Sequence, residues 1–250
     1  MEIDFFQQKI KEYTTGTDFE PLKIVFKVRP PIYVNSPWIH LDGIINYLCF
    51  RECLGRDFYY LPSEVTVDTS GLMLPLKQSQ SGDYSVYHSS VALYPSHQGY
   101  LMKDTIYKRF TDKETFHLTE KQRKGRIQTN RGYFKDFMIN YPILLVDTLT
   151  FYCNGDKKEL ERLLGHLSMV GKKTSIGSGR ILNYTIESVE EDYSFFKDGR
   201  IMRPLPVEFK LPLVDGMVMQ NQSYKPPYWD KNNMTMCYVP PNQIRVGTGD

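Results

Sequence analysis

A glycine-rich segment, GKKTSIGSGR at residues 171–180, carries the residue types best suited to bind a phosphate group. Its glycines expose backbone N–H groups, and Lys172, Lys173 and Arg180 add positive charge. A helix cap is the simpler alternative, but a cap needs only one glycine. A Walker-type nucleotide site is rejected because the lysines precede the Ser-Gly run and a strand follows. We therefore predict contacts between a nucleic-acid backbone and Gly171, Lys172, Lys173, Thr174, Ser175, Gly177, Ser178, Gly179 and Arg180.

A second cationic segment covers residues 103–135, where ten lysines and arginines face four acidic residues. A charged run is often no more than a solvated surface. Here aromatic residues such as Tyr107 and Phe116 lie among the cations, a combination that suits stacking on bases and pairing with phosphates. We interpret the segment as an insertion that projects from the domain, with RNA contacts predicted for Lys121, Arg123, Lys124, Arg126, Arg131 and Tyr133.

The five histidines offer a possible route to catalysis. A metal-independent ribonuclease needs a histidine that can activate a 2′-hydroxyl group, and His40 and His117 are the candidates. The sequence pairs neither with a partner, so we expect His40 to contact RNA rather than to cut it. His166 is assigned to a leucine-rich helix as a structural residue. No cluster with metal-ligand spacing occurs, so no metal or cofactor is expected.

The bulk composition is that of an ordinary globular protein. The chain has 250 residues, a net charge of +2 and 41% hydrophobic residues, enough to build a substantial core. No apolar run reaches the roughly 18 residues of a membrane span, and no secretory signal opens the chain. Four widely spaced cysteines do not form a disulfide framework, which favours a reducing cytoplasm.

Hydrophobic periodicity predicts an α+β fold. Residues 22–28 alternate as a half-buried strand, and residues 41–49 follow with the spacing of an amphipathic helix. A strand near Val91, another within 137–156, a leucine-rich helix near 160–167 and a strand after the glycine loop complete the order. This βαββαβ order predicts a ferredoxin-like (RRM-like) sheet. The expected domain covers residues 21–200, with an inserted thumb at about 100–137, a polar leader at 1–20 containing one short amphipathic turn, and a proline-rich C-terminal extension at 201–250.

Two stretches together resemble a known family. PWIHLDGIINYLCFREC after the first strand and the later helix–GKKTSIGSGRI–strand unit are similar to the RAMP superfamily of CRISPR-associated proteins. MRPLPV and PPYW in the tail resemble more narrowly the handle-capping backbone subunit of class 1 effector complexes, in its type IV form.

The resemblance implies a non-catalytic subunit that binds the 5′ handle of a CRISPR RNA and caps the backbone filament. The glycine loop would approach the RNA backbone, and the insertion would act as a thumb that contacts a neighbouring subunit. Partners implied are the CRISPR RNA, the neighbouring backbone and large subunits and, indirectly, the target nucleic acid, with no membrane. Two alternatives stay open: a metal-independent endoribonuclease that processes repeat RNA, and an adaptor that binds only proteins.

Overall fold

A computed structural model describes residues 3–61, 67–95, 100–109, 129–132, 134–209, 217–241 and 244–246. The helices are α1 (Ile3–Glu12), α2 (Leu41–Leu54) and α3 (Lys157–Leu164). The strands are β1 (Phe19–Arg29), β2 (Ile32–Tyr33), β3 (Gln78–Ser81), β4 (Tyr84–Tyr87), β5 (Leu93–Pro95), β6 (Tyr100–Lys108), β7 (Phe137–Leu145), β8 (Thr148–Asp156), β9 (Arg180–Ser188), β10 (Phe196–Lys197), β11 (Arg200–Ile201), β12 (Leu205–Pro206), β13 (Val218–Ser223), β14 (Met234–Val239) and β15 (Ile244–Val246).

The central sheet has the strand order β15-β5-β8-β1-β9. β1 lies between β8 and β9 and is antiparallel to both, so that Leu22 is paired with Cys153 on one side and Ser188 on the other. β5 is antiparallel to β8, and β15 joins the edge parallel to β5. Helix α2 lies between β1 and β5 in the chain, and α3 lies between β8 and β9. The predicted α+β class is confirmed.

The main core lies between this sheet and the helices. The apolar side chains of β1 point to one face because successive residues of a strand alternate, and Leu22, Ile24 and Phe26 are fully buried. Ile45 of α2 and Leu160 of α3 are buried in the same cluster. Asp156 caps the N-terminus of α3, and its carboxylate accepts a hydrogen bond of 3.1 Å from the N–H of Glu159.

Helix α1 is part of the same core. The sequence predicted only one short amphipathic turn in a polar leader, but the structure has a helix of ten residues. Phe6 and Ile10 are 2% and 1% exposed and belong to the main cluster. The polar side of the helix is held by an ion pair of 2.8 Å between Lys9 and Asp57. The run of residues with helical hydrophobic spacing is too short to indicate from the sequence that this helix is buried.

A second apolar core covers the opposite face of β8. Tyr152 of β8 packs there with Trp38, Met202, Leu205 and Cys237, so the sheet β12-β14-β13 and its connections close over the domain. Because both of its faces are covered, β8 is buried along its whole length.

Strands β6 and β7 form a long antiparallel pair, which we call the arm. Its register runs from Tyr100 opposite Leu145 to Lys108 opposite Phe137. The short strand β2 pairs with β7 at the base of the arm. The segment 110–128 that connects the two strands lies outside the described residues.

Candidate nucleic-acid interface

A groove of about 1050 Å³ runs along one side of α2. Its walls come from α2, from the segment after α3 and from the C-terminal part of the chain. We call it the α2 groove; it is lined by His40, Gly43, Ile44, Asn46, Tyr47, Phe50, Arg51, Leu61, Val67, Thr69, residues 166–172, Thr174, Ser175 and Pro226, Pro227, Tyr228, Trp229.

The lining combines aromatic rings with positive charge. Trp229 is 63% exposed and Tyr47 is 45% exposed, so both rings are open to a ligand. Arg51 and Lys172 supply the cations. Among the described lining residues there is no aspartate and no glutamate. Exposed rings beside cations suit a single-stranded nucleic acid, because bases stack on the rings and phosphates attract the cations.

The first half of the glycine loop forms part of this groove. Gly171 has a positive φ of 84°, and a Cβ there would lie 2.7 Å from the carbonyl oxygen of Tyr33. The N–H of Lys172 donates a hydrogen bond of 2.7 Å to the same oxygen. Gly171, Lys172, Thr174 and Ser175 line the groove, and their contact with RNA stays a prediction.

The second half of the loop is held from inside the protein. Ser178 is buried, and its hydroxyl donates a hydrogen bond of 3.1 Å to the carbonyl of Pro31 and accepts one of 3.1 Å from the N–H of Tyr33. Gly179 has a φ of 65°, and a Cβ would lie 2.0 Å from the Val170 carbonyl oxygen. Ser178 and Gly179 therefore anchor the loop, and their contact with RNA stays a prediction. Two further loop positions predicted to bind RNA, Gly177 and Arg180, are exposed but do not line the groove.

Lys173 connects the loop to the arm. Its backbone is left-handed, with a φ of 57°, and its ammonium group lies 4.7 Å from the centre of the Tyr141 ring on β7. Tyr141 packs edge-on against Tyr33, with 5.9 Å between ring centres, and the Tyr33 hydroxyl donates to Asp104 on β6. This hydrogen bond, and then burial, raise the pKa of Tyr33. The loop and the arm are thus joined by direct side-chain contacts.

His40 lies in the groove immediately before α2. Its ring stacks on Tyr228 with 3.8 Å between centres and 22° between planes. Burial, and then the nearby charge of Arg203, lower the pKa of His40 well below its ordinary value. The imidazole is therefore neutral at neutral pH and offers a stacking surface rather than a positive charge.

A buried ion pair fixes this part of the groove. The carboxylate of Asp42 accepts a hydrogen bond of 3.0 Å from Arg203 and one of 2.8 Å from the Tyr228 hydroxyl. Burial disfavours the charged guanidinium, but the charge of Asp42 keeps the pKa of Arg203 raised. Gly43 leaves room for the Tyr228 ring, because a Cβ would lie 3.3 Å from it. The cluster brings together the three stretches HLDG, MRPLPV and PPYW, which the sequence singled out separately.

Sequence reasoning missed two parts of the groove. His166 was assigned to the leucine-rich helix, but α3 ends at Leu164, and His166 is exposed and lines the groove. The α2 face with Tyr47, Phe50 and Arg51 was also missed. Its signal was present in the i, i+3 and i+4 spacing of these three residues, which places them on one face of the helix.

Of the insertion residues predicted to contact RNA, Arg131 is described. It is exposed and lies between the two strands of the arm. The others lie outside the described residues: Lys121, Arg123, Lys124, Arg126 and Tyr133, together with the catalytic candidate His117.

Away from the groove, a chain of hydrogen bonds joins Ser79, His88 and Asp192. The Ser79 hydroxyl lies 2.6 Å from Nε2 of His88, and Nδ1 of His88 lies 2.7 Å from Asp192. Ser-His-Asp hydrolases share this order, but here Asn154 also donates to the same carboxylate. Burial alone would raise the pKa of Asp192, yet hydrogen bonds from His88, Ser194 and Asn154 lower it well below its usual range. The cluster fastens the β3–β4 hairpin to the segment after β9.

Within the described parts of the chain, no group of three or more His, Cys, Asp or Glu side chains is arranged to hold a metal ion. No helix in those parts is long and apolar enough to cross a membrane.

The comparison with protein families decides the assignment. Residues 20–240 match the family described as CRISPR type IV associated protein Csf3. The chain belongs to the Csf3 family. This confirms the resemblance to CRISPR-associated proteins, in their type IV form, that was noted in the sequence.

Two other comparisons add little. No curated protein sequence matches this Csf3 chain. A solved structure that it is similar to is a chain of the type III-B Cmr-beta complex bound to cognate target RNA, determined by cryo-EM. The identity is 9% and the TM-score is 0.34, with 74% of this chain and 65% of that chain covered. The Csf3 chain thus spans less than two thirds of the length of that protein.

Proposed function

We propose that this protein binds the 5′ handle of a CRISPR RNA in a type IV effector complex and caps the backbone filament, without cutting the RNA. The observation that carries the proposal is the α2 groove, where the exposed Tyr47 and Trp229 rings lie with Arg51 and Lys172 and no carboxylate among the described lining residues. Single-stranded RNA binds by stacking its bases on aromatic side chains and by pairing its phosphates with cations.

We assign the domain a ferredoxin-like fold, as found in RRM-like RNA binders. Support comes from the antiparallel order β5-β8-β1-β9, with α2 and α3 in the two crossover connections. The glycine loop follows α3 and leads into β9, at the edge of this sheet. An RNA strand in the groove therefore passes beside the loop.

The arm is assigned to the thumb role, in which it meets a neighbouring subunit. Large apolar side chains are exposed on it, including Leu101 at 54%, Met102 at 51% and Met138 at 73%. An exposed apolar surface of this kind is typical of a protein–protein contact, and methionine adapts readily to a partner. The contacts of Lys173 and Tyr33 then connect the subunit interface to the RNA-binding loop.

The test is to purify the protein together with the products of its neighbouring genes and to sequence the RNA that stays bound. A discrete small RNA with one common 5′ end is expected. Random fragments that moderate salt removes would overturn the handle-binding role, and an intact complex without RNA would instead support the protein-adaptor reading.

A cleavage assay tests the non-catalytic part of the proposal. Labelled repeat RNA is incubated with the full chain in the presence of a chelator, and no product is expected. A metal-independent product that disappears in a His40→Ala variant, but not in a Tyr60→Ala control, would make the protein a ribonuclease.

A further inference from the structure

A second pocket, of about 380 Å³, lies at the C-terminal end of α2. This pocket shares Arg51 and His166 with the α2 groove. A nucleic-acid strand that lies in the groove and passes these two side chains therefore enters the second pocket. We call it the end pocket; its other lining residues are Leu48, Glu52, Gly55, Arg56, Tyr59 and Leu163.

The charge of the end pocket favours an anion. Its one carboxylate among the described residues is that of Glu52, and Arg162 holds both oxygens at 2.5 and 3.0 Å. These hydrogen bonds raise the pKa of Arg162, as expected for a guanidinium paired with a carboxylate. Arg162 also pairs with Glu159 at 2.8 Å, so its charge is shared between two carboxylates. Because Arg51 and Arg56 outnumber Glu52 in the lining, the pocket itself keeps a net positive charge that can act on a ligand.

The end of α2 also presents less negative charge than an open helix end. The N–H of Gly55 donates to the carbonyls of Arg51 and Glu52, which satisfies two groups that would otherwise face the pocket. Gly55 has a positive φ of 57°, and a Cβ there would meet nothing within 4 Å. The backbone at this corner is therefore open to an approaching ligand.

The end pocket also contains an exposed ring. Tyr59 is 68% exposed and packs edge-on against Phe58, with 5.6 Å between ring centres and an angle of 89°. Phe58 packs against Phe50 of the α2 groove, so the two sites share an aromatic support. The Arg51 guanidinium lies 5.9 Å from the Tyr59 ring centre. The Tyr59 ring is held by its edge-on contact with Phe58 and is largely exposed to solvent, so a nucleobase can stack on it.

We propose that bound RNA continues from the α2 groove into the end pocket, which takes one further nucleotide with its base on Tyr59 and its phosphate between Arg51 and Arg56. This inference rests on the proposed function, because it extends the same RNA path. It adds a subsite that the glycine loop does not reach and that sets how many nucleotides the protein covers.

The test measures binding of fluorescent oligouridines of about four to about twelve nucleotides to the full chain. The unmodified protein gains affinity with length until the end pocket is filled. Tyr59→Ala removes the last gain, about tenfold, and leaves the affinity for the shorter oligomers unchanged. Arg56→Ala lowers the slope of log affinity against log salt by about 0.7 for the longer oligomers only.

Two control variants match these changes. Tyr60 is 71% exposed and adjacent to Tyr59 but lines neither site, so Tyr60→Ala keeps the whole length dependence. Arg200→Ala removes an exposed arginine that lines neither site and keeps the salt slope.

The outcomes separate the two proposals. If Trp229→Ala weakens every oligomer but Tyr59→Ala behaves like Tyr60→Ala, the end pocket is not on the RNA path and only this inference fails. If the unmodified chain binds none of the oligomers and its complex retains no RNA, the proposed function fails and the inference fails with it.

Discussion

Asp42 and Arg203 form an ion pair of 3.0 Å whose two side chains are each only 1% exposed, although the residues lie 161 positions apart in the chain. The pair joins the first turn of α2 to the segment before β12. Through the Tyr228 hydroxyl it also holds the His40–Tyr228 stack at the side of the groove. The geometry of the proposed RNA-binding surface thus depends on a charge pair that is buried beneath it.

Removing one member of this pair should be strongly destabilising. Asp42→Asn leaves a buried guanidinium without its counter-charge, which costs about 3–5 kcal/mol in the free energy of unfolding. Glu52→Gln is the matched control, because its partner Arg162 is 42% exposed, and we expect about 0–1 kcal/mol there. Urea denaturation followed by circular dichroism measures both values. Equal losses in the two variants would contradict the structural role given to Asp42.

The Trp229 ring should carry a large share of the RNA affinity. Trp229→Ala removes an exposed stacking surface from the groove and should weaken binding of single-stranded RNA about tenfold. Because the ring is 63% exposed, the free energy of unfolding should change little. Fluorescence anisotropy gives the affinity, with Tyr60→Ala as the exposed aromatic control. The same affinity in both variants would remove Trp229 from the interface.

The two loop lysines should behave differently. Lys172 lines the groove, so Lys172→Ala should lower the slope of log affinity against log salt by about 0.7, the amount for one phosphate contact with a single strand. Lys173 is directed to Tyr141, so Lys173→Ala should change that slope less. Salt titrations of RNA binding compare them. A larger change of the slope for Lys173→Ala than for Lys172→Ala would show that Lys173 leaves Tyr141 and contacts RNA in the complex.

The glycines of the loop should differ in their tolerance of a methyl group. Gly177 and Gly179 both have positive φ, so alanine is strained at each, by about 1–2 kcal/mol. At Gly179 the new Cβ would also collide with the Val170 carbonyl oxygen at 2.0 Å, whereas at Gly177 it meets nothing within 4 Å. Gly179→Ala should therefore lose clearly more free energy of unfolding than Gly177→Ala. Similar losses would contradict the anchored loop.

Stability should fall in mild acid because of His40. The unfolded chain gains a proton at His40 as the pH falls through about 6.5, whereas burial keeps the folded imidazole neutral. Protonation therefore favours the unfolded state, and the free energy of unfolding should decrease between about pH 7 and about pH 5. His40→Phe should flatten this part of the profile and keep a ring against Tyr228. Asp192, with its lowered pKa, contributes a separate loss only below about pH 4.

Local patterns predicted the elements of the main core well. The alternation at residues 22–28 lies within β1, and the leucine spacing near Leu160 lies on α3, because in both cases the periodicity reflects burial of one face. The predicted strand near Val91 is the short β5. Helix α1 was predicted only as a short turn because, among the side chains described at residues 4–12, only Phe6 and Ile10 are deeply buried.

The site was predicted only in part, because its walls come from distant parts of the chain. The glycine loop and His40 were both singled out, and the structure places the first half of the loop and His40 on one groove. Nothing local in PPYW indicates that Tyr228 packs against Gly43, since that contact depends on the pairing of Asp42 with Arg203. Likewise, the sequence could not separate loop residues that face the groove from Ser178, which is turned inward by Pro31.

The burial of α1 has a practical meaning for any trimmed version of this protein. The family match begins at residue 20, after α1 has ended at Glu12. A chain cut to the matched span would lose Phe6 and Ile10 from the main core and expose the apolar surface of α2 beneath them. Such a fragment would be prone to aggregate even with every groove residue present. At this end of the domain, the segment that folds as one unit therefore begins before the segment that matches the family.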